Sequence, residues 1–269
     1  MNDVEQLANR IRLHATRMIH AAKSSHLGSN YSMAEIMAVL YSRILNITPQ
    51  TTDDPHRDRL VLSKGHAAAG YYAVLAECGF FPLEWLDSFY TDGAKLAGHA
   101  TRGVPGVEVS SGALGHGLSM AAGLALAAKR DAAAWRVFAV LSDGECDEGS
   151  TWEAAMLAAH HGLDNLAAII DYNKMQALGH TKDVIDLEPF TDKWKAFRWA
   201  VREVDGHDCG ALESVLSNVP FEKGKPSCLI AHTVKGKGVS FMEDSLLWHY
   251  RNPRGEEFER AMAELEAKQ

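Results

Sequence analysis

The sequence predicts an α/β protein: an open, mostly parallel sheet with helices on both faces. Two apolar runs predict it first, RVFAVLSD (136–143) and NLAAIIDYN (165–173), with a helix-like STWEAAMLAAHHG (150–162) between them. Such runs are continuous rather than alternating, which marks strands buried on both faces, as parallel strands are. Further strand-like and helix-like segments alternate around this unit, the pattern of a layered α/β domain. The crossover between the two runs is expected to be right-handed.

The elements follow in order. A first helix is expected from Val4 to Lys23, because Leu7, Ile11, Met18 and Ala22 recur at helical spacing. A second is expected from Ser32, where Ser32-x-x-Glu35 reads as a capping box, to about Leu45, before Pro49. DRLVLSKGHAAAGYYAVLAECG (58–79) reads as a short strand, a tight turn and a helix, and Pro82 opens a short helical stretch. Glycines at 93, 98, 103, 106, 112, 115 and 117 then mark a long loop. Long ordered loops in compact domains are usually functional. The small-residue helix LSMAAGLALAAKR (118–130) leads into the strand–helix–strand unit. Later, KPSCLIAHTVKG (225–236) reads as another strand and EEFERAMAELEAKQ (256–269) as a polar terminal helix.

The totals bound the function. With 269 residues, 46% of them apolar, the chain can bury a sizeable core in one large or two small domains. The formal charge is −8 and no Lys/Arg run occurs, so no nucleic-acid footprint is visible. Cys78, Cys146, Cys209 and Cys228 lie far apart without a CxxC. They are read as reduced thiols of a cytoplasmic protein, neither a zinc site nor a disulfide framework. The amphipathic start is not a signal peptide, and no stretch approaches the ~20 apolar residues of a membrane span.

The chemistry centres on the strand ends. Asp143 ends the first apolar run and Asn173 the second. In a parallel sheet both emerge at the carboxyl edge, where open α/β folds bind ligands. A carboxylate and an amide oxygen suit Mg²⁺ or Ca²⁺, and Mg²⁺ commonly leaves positions for substrate phosphates. Gly144 lets a phosphate approach the backbone, and the following helix offers free N–H groups. The pattern therefore points to a metal-bridged diphosphate. An equally simple reading leaves Asp143 and Asn173 as turn caps.

SDGECDEGSTWEAAMLAAHHGLDNLAAIIDYNKMQALG (142–179) resembles the thiamine-diphosphate motif, GDG followed about thirty residues later by Asn, and its wording is similar to transketolase. SSHLGSNYS, LSKGHAAAGYYA, GHATRGVPGVEVSSGALGHGLSMAAGLALA, DYNKMQ and HTVKGKGVSFMED with WHY resemble that family in order and spacing. The resemblance implies one thiamine-diphosphate-binding domain of the PP type over 1–269, with an N-terminal helical region and a C-terminal extension. It implies that Asp143, the side-chain oxygen of Asn173 and the carbonyl of Met175 bind Mg²⁺, for which Ca²⁺ can substitute. Gly144 would touch the diphosphate through its backbone, and Lys235 would add positive charge beside it. His66 and His249 would contact the cofactor's phosphate end or the substrate. Gly112, Ala113 and Leu114 would line the aminopyrimidine side. His26, His99 and His249 would act on the substrate's hydroxyl and carbonyl oxygens, where imidazoles can donate hydrogen bonds and shuttle protons near neutral pH.

Two departures from the family pattern stand out. Ser142 replaces the first glycine of GDG, a small hydroxyl that still admits a diphosphate. After Tyr250 only RNPRGEEFERAMAELEAKQ remains, where a complete transketolase continues through pyrimidine-binding and C-terminal domains. The resemblance therefore implies the N-terminal subunit of a two-chain transketolase, moving a two-carbon ketol unit between sugar phosphates. A separate C-terminal subunit would complete the site, in a heterotetramer, with Glu148 and Glu153 at the subunit interface. His14, His20, His160 and His161 are read as structural or surface residues, and His116 is given no role.

Three rivals remain. The first is another thiamine-diphosphate enzyme, such as a 2-oxo acid dehydrogenase alpha chain or a deoxyxylulose-phosphate synthase; histidines 26, 66 and 99 favour sugar chemistry. The second is a nucleotide-binding oxidoreductase domain, but GHGLSMAAG (115–123) lacks the third glycine of G-x-G-x-x-G at its spacing. The third is a non-catalytic scaffold of the same fold.

Overall fold

The computed structural model describes residues 3–268. Its sheet has five strands: β1 (Arg59–Leu62), β2 (Val137–Ser142), β3 (Leu166–Tyr172), β4 (Ala200–Asp205) and β5 (Ser227–His232). All neighbours pair in parallel in the order β1-β2-β3-β5-β4. The register sets Ser142 opposite Asp171 and Tyr172 opposite His232. The segments after β2, β3 and β5 therefore leave the sheet side by side.

The helices are α1 (Asp3–Ala21), α2 (Leu27–Ser32), α3 (Ala34–Val39), α4 (Ala68–Glu77), α5 (Gly117–Arg130), α6 (Gly149–His160), α7 (Thr181–Val184), α8 (Phe190–Ala196), α9 (Cys209–Leu216), α10 (Leu247–Tyr250) and α11 (Glu256–Glu266). Side chains of a strand alternate between faces, and the core follows that rule. Phe138, Val140, Ile169 and Leu229 join α1, α3, α4, α9 and α11 on one side of the sheet. Val137, Ala139, Leu141, Ile170 and Ile230 join α5, α6 and α8 on the other. Covered on both faces, β2 and β3 are buried throughout, which explains their unbroken apolar sequences.

The structure differs from these expectations at several points. The helix expected from Ser32 to Leu45 is broken into α2, α3 and a π-helical turn, Leu40–Ile44. No capping box forms: Ser32 ends α2 and donates to Asp171 Oδ2 at 2.5 Å, while Glu35 accepts from Arg12 Nη2 at 2.6 Å. Both side chains are taken by buried partners that only the fold brings near. β4 escaped the sequence reading because AVREVD is an edge strand whose charged residues face out. The terminal helix ends at Glu266, and the Gln269 of its expected range lies outside the described residues. The first helix ends at Ala21 rather than Lys23.

Candidate active site

The carboxyl ends of β2, β3 and β5 meet the start of α2, the 97–116 loop and α10 around a cavity of about 270 Å³. Ser142, Asp143 and Gly144 reach it from β2, and Asn173, Met175, Gln176 and Ala177 from β3. Lys235 reaches it from β5, and His249 and Tyr250 from α10. His26 and Ser29, His66, His99, Gly112 and Leu114 complete the wall. Thus all three proposed metal ligands and every proposed catalytic histidine line one space. Ala113 does not; it is exposed beside that lining. Glu148 and Glu153 are exposed at and along α6 and are not part of the cavity lining. His14 pairs with Glu77, His20 stacks on Phe258, and His116, His160 and His161 lie exposed.

Asp143 is 1% exposed. Its Oδ1 accepts the Gly144 N–H at 2.8 Å and its Oδ2 the Lys174 N–H at 2.5 Å. No side-chain cation among the described residues forms an ion pair with it. Burial, then the charge of Asp171, pushes its pKa up to about 7. Asn173 Oδ1 accepts the Met175 N–H at 3.1 Å. Met175 O accepts from Lys235 Nζ at 2.9 Å. Burial lowers the Lys235 pKa to about 8, against the pull of Asp143.

The imidazoles form one group. His26 lies with its ring centroid 4.9 Å from His66, 5.2 Å from His249 and 6.4 Å from His99. His26 has φ 72°, a left-handed conformation that costs a non-glycine residue and marks an imposed geometry. Its N–H donates to His249 O at 2.8 Å, so the two histidine-bearing segments are tied directly. Gly112, at φ 137°, has no room for a side chain: a Cβ there falls 2.6 Å from His99 Cδ2. Burial, then the neighbouring His99 and Lys235, lowers the His26 pKa to about 4. Burial, then Lys235 and His26, lowers that of His249 to about 3. His66 is pushed down by burial and by His26 as well. These three rings are neutral at pH 7. His249 Nδ1 lies 2.8 Å from the Lys235 ammonium, which can only donate, so the His249 proton sits on Nε2.

Beneath the cavity lies a polar hub that the sequence reading missed. Lys64 and Asp171 are fully buried and paired. Thr233 Oγ1 donates to Asp171 Oδ1, Ser32 Oγ to Oδ2, and Lys64 Nζ donates to Ser29 O at 3.0 Å. Burial alone raises the Asp171 pKa, but Lys64 and these hydrogen bonds outweigh it and lower it. Four segments of the wall are thereby fixed at one point. A carboxylate inside an otherwise apolar strand, LAAIIDY, was the signal that could have found it. Glu145 plays a similar part beside the loop: Ser63 Oγ donates to Oε1, which also accepts the Gly115 N–H at 2.8 Å.

The donors fit a hard divalent cation. Among the described residues no cluster of three or more His, Cys, Asp or Glu side chains is placed to hold a metal. The set here is instead one buried, unneutralised carboxylate, one amide oxygen and one carbonyl, a poor site for zinc and a suitable one for Mg²⁺ completed by phosphate oxygens. A Cβ on Gly144 would fall 2.9 Å from Gln176 Cβ, so the residue after Asp143 is kept small.

Residues 4–259 match the family described as transketolase, thiamine diphosphate binding domain. The chain belongs to this transketolase family. It is 44% identical over 241 residues to one subunit of the apulose-4-phosphate transketolase of Actinobacillus succinogenes, covering 89% of this chain and 87% of that one. It is 42% identical over 265 residues to 6-deoxy-6-sulfo-D-fructose transketolase subunit SqwG of Clostridium sp. strain MSTE9, covering 98% and 96%. Among solved structures, transketolase from Leishmania mexicana superposes with a TM-score of 0.93 at 32% identity, covering 99% of this chain. This transketolase-family chain spans 42% of the length of that structure.

Proposed function

We propose that this chain is the diphosphate-binding subunit of a two-chain transketolase, moving a two-carbon ketol unit between sugar phosphates. One observation carries the reading. The Asp143–Asn173–Met175 donor set and the four histidines His26, His66, His99 and His249 line the same cavity at the carboxyl edge of a parallel sheet. In this reading Asp143, Asn173 Oδ1 and Met175 O hold Mg²⁺, the Gly144 backbone and Lys235 border the diphosphate, and Gly112 and Leu114 border the pyrimidine. When bound, thiamine diphosphate supplies the nucleophilic carbon and the electron sink for breaking a C–C bond beside a ketone.

The protein's part is to orient and to move protons. His249 presents Nε2–H as a fixed donor to a substrate oxygen, since Lys235 holds its other nitrogen. His26 and His66, neutral at pH 7, can accept a hydrogen bond from a substrate hydroxyl or donate one to a substrate oxygen without adding buried charge. Two relatives named as transketolase subunits, one for apulose-4-phosphate and one for 6-deoxy-6-sulfo-D-fructose, support a ketose whose far end is anionic. Both names also describe one part of a larger enzyme, which supports a separate partner chain that completes the site, with a heterotetramer as the expected assembly. α6 offers it exposed Met156 and Leu157 beside Glu153. Four unpaired thiols fit a cytoplasmic setting. Among the described residues no helix is long and apolar enough to cross a membrane.

The test is reconstitution. With the partner subunit, thiamine diphosphate and Mg²⁺, ketose donors should lose a two-carbon unit to an aldose acceptor, and Asp143→Ala should abolish cofactor binding. Oxidation of 2-oxo acids in place of ketol transfer overturns the reading. Full turnover by this chain alone overturns its two-chain part.

A further inference from the structure

We infer that His207 is a positioning residue for Lys235, acting through the backbone of Val234. The inference rests on the reading above, in which Lys235 faces a diphosphate. His207 follows β4, outside the cavity, on the turn between that strand and α9. Its Nε2 lies 2.8 Å from the Val234 nitrogen. A backbone N–H can only donate, so Nε2 is the acceptor and the ring proton sits on Nδ1. Nδ1 in turn lies 3.0 Å from Glu35 Oε2.

Glu35 is itself pinned. Arg12 Nη2 reaches the same oxygen at 2.6 Å and also donates to Tyr31 O at 2.9 Å. Burial alone would raise the Glu35 carboxyl, but Arg12 and the His207 hydrogen bond outweigh it and lower its pKa to about 2. An ionised Glu35 accepts at both contacts, which fixes the tautomer of His207. A line of hydrogen bonds thus runs from α1 through α3 to the loop after β5. One end is a buried arginine and the other is the residue before Lys235.

That loop needs such a hold. Its main chain is tied at each step: Thr233 N to Tyr172 O at 3.1 Å, Gly236 N to Gly28 O at 3.2 Å, and Lys235 O from Asp244 N at 2.9 Å. Among these main-chain ties the one at Val234 runs to a side chain, which makes it the one a point substitution can remove. Lys235 is only 2% exposed, and its ammonium must land between Met175 O and His249 Nδ1. A small turn of the loop forfeits both contacts. A part-buried N–H left without its acceptor favours such a turn.

The experiment reads Lys235 directly, without cofactor. The full chain is labelled briefly with acetic anhydride and the extent at each lysine is measured by mass spectrometry. Exposed Lys182 serves as the reference and fully buried Lys64 as the control for general opening. In His207→Phe, which fills the space but makes neither bond, Lys235 should label about tenfold faster with Lys64 unchanged. His207→Gln can donate to Glu35 and accept from Val234, so it should keep Lys235 within about threefold of wild type. His207→Ser, too short to reach either partner, replaces the Phe variant if that one does not fold. No acceleration at Lys235, equal acceleration at Lys64, or loss of protection in the Gln variant overturns the inference. The transketolase reading fails separately, if the reconstituted wild-type complex does not bind thiamine diphosphate.

Discussion

Lys235 Nζ lies 2.8 Å from His249 Nδ1 and 2.9 Å from the carbonyl oxygen of Met175. One ammonium therefore sets the tautomer of a histidine and rests on a proposed metal ligand. Lys235→Met removes that donor and that charge while keeping the length of the side chain. Thiamine diphosphate should then bind about 10- to 100-fold more weakly, the size expected for a lost charged hydrogen bond. Calorimetric titration of the reconstituted complex measures this. The His249 pKa should rise from about 3 but stay below its ordinary value, because burial is the larger cause. Histidine NMR across a pH titration checks it.

The three depressed imidazoles make stability depend on pH. Unfolded, each takes up a proton near pH 6.5; folded, His26 does so only near 4 and His249 near 3. The unfolded chain thus binds more protons between these limits, so stability rises with pH through this window. It is fully present above about pH 6.5 and is lost as the pH falls toward the folded values. The thermal midpoint should drop by at least about 5 °C between pH 7 and pH 5. The slope should flatten in His26→Gln/His249→Gln. An unchanged slope would show that other groups control it.

Much of this site was legible because it sits where unbroken apolar runs end. Val137–Leu141 and Leu166–Ile170 announce buried parallel strands, and Asp143 and Asn173 follow from where those runs stop. What escaped were polar residues with long-range partners. Ser32 and Glu35 look like a local cap until Asp171 and Arg12, distant in sequence, claim them. His207 follows an edge strand with too little apolar character to be read as one. Lys64 stands between a buried strand and a buried helix, an anomaly in sequence whose partner only the sheet register reveals. Local patterns locate elements; pairing across elements is not written in any window.

Asp143 holds a buried carboxylate with no ion-pair partner among the described residues. Its folded pKa is raised to about 7, so it favours the fold below its unfolded value of 3.8 and opposes it as pH rises through 7. Asp143→Asn has no proton to lose there, so without metal it should lose less stability than the wild type between pH 5 and pH 8, although its NH2 cannot accept the N–H that the second carboxylate oxygen takes. Mg²⁺ with thiamine diphosphate should stabilise the wild type and leave the variant unmoved. Thermal denaturation across this pH range, with and without chelator, decides the matter; a variant with the pH dependence of the wild type would contradict it.

Lys64→Met leaves Asp171 charged and unpaired at the centre of the hub. Breaking a buried pair from one side costs about 3–5 kcal/mol. Replacing both partners by apolar residues of similar size often costs far less. Lys64→Met/Asp171→Leu should thus recover most of the loss in urea unfolding. It should not recover cofactor binding, since Ser32, Thr233 and Ser29 would lose their common anchor.

Met156 and Leu157 are 52% and 44% exposed on a helix whose inner face, Thr151, Ala154, Ala155 and Ala158, is already buried. α6 follows directly from the Asp143–Asp147 turn, so a partner chain seated there would border the cofactor cavity. Met156→Glu/Leu157→Glu puts two carboxylates on that face, where a desolvated interface has no compensating charge. The circular dichroism spectrum and thermal midpoint of the chain should change little, because neither side chain packs inward. Association with the partner chain should weaken at least tenfold in analytical ultracentrifugation, with ketol transfer falling in step. A variant that still assembles fully would place the partner on another face and leave α6 a plain solvent-facing helix.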